Sequence, residues 1–128
     1  MMGTRRKSEA VARFEERRRR EREAPRLRER VPNLASLRFD IVEAHGATQS
    51  EPKHARIIMV DTSPALFTLS CADRSCRDGG HEITTAVMRG LLDGHGHFTI
   101  DQRCEGTVGS AACGRDMHVE VTATFREP

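Results

Sequence analysis

Four cysteines in the second half of the chain constrain its fold more than any other feature, because they come as two pairs behind strand-like stretches. Phe67-Thr68-Leu69-Ser70 leads into Cys71, with Cys76 five residues on; Phe98-Thr99-Ile100-Asp101-Gln102-Arg103 leads into Cys104, with Cys113 beyond it. Alternating side chains read both leads as strands. Two strand ends that each present two thiolates make one tetrahedral metal site. The fold must then bring residues 71–76 against residues 104–113.

Composition says why such a site would matter. Hydrophobic residues make up 37% of the chain, there is no Trp or Tyr, and five Phe are the only aromatics. A core built from so little is small and mostly aliphatic, and small cores often need a metal or disulfide staple.

The spacings are C-x4-C and C-x8-C. The first falls within the ligand spacing of structural zinc; the second must fold back on itself, which Gly106, Gly109 and Gly114 permit. The pattern favours a structural Zn2+ held by Cys71, Cys76, Cys104 and Cys113. His81, five residues after Cys76, is the alternative ligand for one of them. Three other readings of the cysteines stay open. They are an iron–sulfur cluster on the same four thiolates, buried thiols packing as small hydrophobes, and a disulfide within either pair under oxidation. His95 and His97 read as exposed turn residues, and His45, His54 and His118 have no spacing that favours ligation.

Charge divides the chain. Residues 1–30 carry a net +6 and residues 31–128 a net −4, which separates a basic helical arm and linker (1–30) from a mildly acidic body (31–128). Residues 4–24 are helix-favouring, with Glu9/Arg13, Glu15/Arg19 and Glu16/Arg20 four apart in the stabilising order. Pro25 ends that stretch. Its apolar stripe, Ala10, Val11 and Phe14, is too thin to bury, so the helix is expected to be exposed. Leu27, Val31 and Leu34 are expected to anchor the linker onto the body.

From Leu37 the period shortens to two. Strands are expected at 37–42, 56–61, 65–71, 97–103 and 117–125, the second and third forming a hairpin, with a loop over 46–52. His81 to Leu92 has helical spacing, with Asp78 as its cap and Gly94 as its stop. The predicted body is β-β-β-α-β-β. This is an α+β fold with a mainly antiparallel sheet of about five strands and one packed helix, preceded by the exposed charged helix.

No catalytic motif emerges. His118-Val119-Glu120 begins like the H-x-E of zinc deaminases, but no cysteine follows. There is no C-x-x-C redox pair and no nucleotide-binding glycine loop. A four-thiolate site also lacks the open position that catalysis requires. The expectation is a non-enzyme without a small-molecule substrate. No apolar run reaches the roughly 20 residues of a membrane span, and Arg5-Arg6 is followed by charge instead of a hydrophobic segment. A cytoplasmic chain with no membrane partner follows, and in that compartment metal ligation outweighs disulfides.

Arg17, Arg18, Arg19, Arg20 and Arg22 are the candidate nucleic-acid contacts, since guanidinium forks match phosphate. No aromatic interleaves with the arginines for base stacking. Nucleic acid or a ribonucleoprotein surface is the first partner expected, and an acidic protein partner is the alternative. A thiol-based redox or metal sensor using the same cysteines is the third functional reading.

Overall fold

The structure is a computed structural model, and it describes residues 2–45, 49–50, 53–69, 71, 76–77, 81–104 and 106–127. In chain order the elements are α1 (Met2–Glu23), α2 (Leu27–Arg30), β1 (Leu34–His45), β2 (Gln49–Ser50), β3 (His54–Ile58), β4 (Thr68–Leu69), β5 (Cys76–Arg77), β6 (His81–Glu82), α3 (Thr84–Leu92), β7 (His97–Arg103), β8 (Thr107–Val108), β9 (Ala111–Ala112) and β10 (Asp116–Phe125). The fold is α+β. Its main sheet is antiparallel and four strands wide: β2 and β3 share one edge of β1, β10 lies on the other, and β7 pairs with β10.

The sheet forms where the period of two is cleanest. On β10, Met117, Val119, Val121 and Ala123 are buried while the residues between them face outward. They sit opposite Glu43, Ile41, Phe39 and Leu37 of β1, so one face of the central pair is almost wholly apolar. The other face carries polar side-chain pairs, among them the hydrogen-bonded His118 and Asp101 and the ion pair of Arg103 with Asp116. One face dry and one wet is the usual economy of an antiparallel sheet.

β1 begins three residues earlier than its alternation predicts. Leu34 and Leu37 are both buried although they stand three positions apart, an odd step along a strand. The register shifts between Leu34 and Ser36, so two residues of β1 span one step of β10. Such a bulge reverses which side chains face inward. It returns Leu34 to the core and hides the strand's start from a two-residue period.

α3 covers the apolar face. Ile83, Val87, Met88 and Leu91 are buried there, and Gly90 lets the helix approach Phe98 of β7: a Cβ at residue 90 would lie 2.3 Å from the ring. Leu27 and Val31 complete the same cluster, anchoring the linker as its sequence led us to expect. Phe39 and Phe67 meet edge to face in that core, with centroids 5.5 Å apart, a geometry worth about 0.5–1.5 kcal/mol beyond area burial.

The expected hairpin between the second and third strands does not form. Thr62 and Ser63 donate back to the Met59 carbonyl, and that turn carries the chain off the sheet. The linker then takes up the backbone: Leu27 N–H bonds Ser63 O, and Ala65 N–H bonds Pro25 O. Phe67 N–H donates to Thr84 Oγ1 at the start of α3. What remains of the third strand is the two-residue β4, paired with β6 and not with β3. His81 therefore opens a strand, and the helix starts three residues later; Asp78, expected as its cap, lies outside the described residues. α3 ends as expected, with Gly94 N–H bonded to Leu91 O and His95 N–H to Gly90 O. At the far end, Arg126 N–H bonds Asn33 O, beside the first residues of β1.

Candidate metal centre and basic arm

Each cysteine stands where a short strand meets a loop. Cys71 follows β4, Cys76 opens β5, Cys104 follows β7 and Cys113 follows β9. The long C-x8-C segment doubles back as the hairpin β8–β9, whose two-residue turn contains Gly109. Its φ of +63°, shared by Gly114, is strained for any residue with a Cβ. Cys113 N–H donates to Gly106 O and closes the fold-back, while Cys104 N–H donates to Arg115 O. β5 pairs with β8, setting Cys76 opposite Val108, so the two cysteine loops share one small sheet.

The result is a tight cluster of sulfurs. All four Sγ atoms lie within 4.8 Å of one another. Two of the pairs run between the loops: Cys71 to Cys113 at 3.7 Å and Cys76 to Cys104 at 3.6 Å. A disulfide would bring two sulfurs to about 2.05 Å, and none of the four cysteines is disulfide-bonded. Cys104 and Cys113 are buried, Cys71 and Cys76 half-buried. Loss of water, followed by the neighbouring thiols, pushes the Cys76 thiol far above the ordinary range. Without a cation Cys76 keeps its proton; a divalent metal reverses that preference, because the ligand is the thiolate. Gly106 N–H, 3.4 Å from the Cys104 sulfur, is already aimed to support negative charge there. The group is compatible with a metal-binding site. His81 pairs its backbone with Leu69; its imidazole lies outside the described side chains.

Beside the cluster lies an ion pair that the sequence reading missed. Glu43 and Arg115 are the two charged residues buried among the described ones, and Arg115 Nε is 3.4 Å from Glu43 Oε2. Arg115 is also the residue whose carbonyl receives Cys104 N–H. A signal was present: Glu43 continues the inward parity of Leu37, Phe39 and Ile41, where a carboxylate needs a partner.

The arm is a helix through Glu23, and its arginines do not act alike. Arg19 is paired with Glu16 and Glu23, and its hydrogen bond holds the Glu16 carboxyl below the usual range. Arg20 reaches the body, 2.6 Å from Glu82 on β6. Ala12, Glu16, Arg17 and Arg20 line a shallow groove with Leu66 and Thr68, so this side of α1 faces β4. Arg17, Arg18 and Arg22 make no ion pair among the described residues. Phe14 is 62% exposed, and the Arg18 guanidinium sits 5.8 Å from its ring centre. An aromatic therefore does lie among the arginines, one helical turn before Arg18, where a reading along the sequence did not pair them.

Among the described residues no helix is long and apolar enough to cross a membrane. No family model, curated protein or solved structure matches the chain.

Proposed function

We propose that the chain is a non-catalytic, zinc-stapled α+β domain whose arginine arm binds nucleic acid or the surface of a ribonucleoprotein. The sulfur spacing carries the metal half of this reading. A tetrahedral zinc with Zn–S bonds near 2.3 Å needs sulfurs about 3.8 Å apart, and the Cys76–Cys104 and Cys71–Cys113 pairs stand at 3.6 and 3.7 Å. A cluster spreads its thiolates over several irons, a looser fit to four sulfurs so close together. Four thiolates also fill a tetrahedral zinc, leaving it to stabilise the fold and not to activate a substrate.

The arm supports the second half. Arg17, Arg18 and Arg22 are exposed and uncommitted to acids among the described residues, and guanidinium forks meet phosphate bidentately. Such binding is sequence-independent and weakens with salt. Elemental analysis of the purified protein tests the metal: one zinc per chain, lost in Cys→Ser variants, is expected, and iron or no metal defeats that half. A Cys variant that keeps full occupancy promotes His81 to ligand. Titration with labelled oligonucleotides tests the arm. Affinity should fall with salt and on deletion of residues 2–24, and indifference to both defeats the nucleic-acid half.

A further inference from the structure

The outward side of α1 carries more than charge. Val11, Phe14, Arg18 and Arg22 follow one another at helical spacings of three, four and four, so they form one stripe. Ala12, Glu16 and Arg20 form the stripe that faces Leu66, Thr68 and Glu82. Phe14 therefore points away from the body, and no buried cluster among the described residues claims it. A ring that is 62% exposed beside a guanidinium sits on the helix like a flat shelf. Two apolar residues are too few for a helix–helix seam, which repeats over several heptads. The same stripe continues instead into two arginines.

We infer that Phe14 is a base-stacking residue and that the nucleic acid taken by the arm is single-stranded. The inference rests on the nucleic-acid reading of the arm and adds the class of strand. In a duplex the base faces are occupied by their neighbours, and the ring finds nothing to cover. In a single strand every base offers a π-face, and basic side chains track the backbone beside it. Arg18 lies against one side of the ring at cation–π distance; the other side receives the base. Arg22 continues the stripe and meets phosphate, and Arg17 does so from the edge of the groove beside β4.

The chain has no Trp, so full-length protein carrying Phe14→Trp reports from this one position. Oligothymidylate should change its emission, and a duplex of equal length at the same salt should not. In parallel, Phe14→Leu and Phe14→Ala should weaken binding of labelled oligothymidylate roughly 5- to 100-fold and leave the weaker duplex binding unchanged. Arg17→Ala and Arg22→Ala should weaken both. Alanine and leucine favour helix more than phenylalanine does, and the ring is exposed, so a loss is not the unfolding of α1. Equal affinity for single strand and duplex, or full affinity in Phe14→Leu, overturns the inference and leaves the arm a plain phosphate binder. No binding to either form at low salt overturns the arm reading as well. Self-association that Phe14→Ala abolishes overturns the inference in favour of a helix–helix contact.

Discussion

The main sheet and the cysteine lobe occupy one body yet are held by different means. β1 and β10 match over ten residue pairs, with Phe39, Val119 and Val121 fully enclosed between the strands and α3. In the lobe, β5, β8 and β9 contribute two residues each, and Ala111 and Ala112 are exposed. A ladder that short gains little from burial and cannot offset the entropy of ordering its loops. The sulfur cluster takes the place of the apolar core that this region lacks. Where the two meet, the join is an enclosed charge pair, Glu43 from the sheet and Arg115 from the lobe. The difference teaches that stability here is local: one region depends on packing, the other on its cluster of four cysteines.

The largest effect expected separates the two directly. Removing metal with a chelator, or replacing Cys113 with Ser, should abolish amide-exchange protection over residues 107–112 while β1 and β10 stay protected. For comparison, zinc binding to small structural sites is worth about 10–16 kcal/mol. If protection vanishes from both regions together, the division between them is wrong. Phe39→Ala tests the opposite side. It should cost about 3–5 kcal/mol in denaturant unfolding, and zinc content should be retained wherever the protein remains folded.

The join should respond next. Glu43→Gln removes the buried carboxylate charge beside Arg115 and should cost about 3 kcal/mol. Replacing Glu43 and Arg115 together with apolar residues should recover much of that loss, and a strictly additive double variant would show that the pair is uncoupled. Gly90→Ala should cost about 1 kcal/mol net, because displacing the Phe98 ring outweighs the gain in helix propensity. The smallest effect concerns the linker. Arg28 donates to Asp61 at 2.7 Å, and that hydrogen bond holds the Asp61 carboxyl below its ordinary value of 3.8. A lowered carboxyl pKa stabilises the fold above the unfolded value and loses that contribution as pH falls through the folded one. Asp61→Asn should therefore flatten the stability profile below about pH 4 and leave it unchanged in shape near neutrality.

What was legible in the sequence follows the same division. β7, β10 and α3 announce themselves because their buried faces repeat at a fixed period. The sulfur cluster announces itself because few chemistries need four paired cysteines. The start of β1 does not, since the bulge before Ser36 breaks the period that would reveal Leu34. The short β4–β6 pairing does not either. Residues 65–71 alternate like any strand, but the linker at Pro25 and the hydroxyl of Thr84 compete for their backbone groups, and that competition exists only in three dimensions. Phe14 and Arg18 were visible as letters; only the helix makes them neighbours.

The hydrogen bond from Arg126 to Asn33 has a practical side. It sets the last turn of backbone after β10 beside the residue that precedes β1, so the body is a loop nearly closed on itself. A short bridge from residue 126 to residue 33, with a new break in the turn at Gly109, would give a rearranged chain of the same topology. The bridge would release residues 1–32 with the arm, and with them Leu27 and Val31, whose side chains the core now encloses.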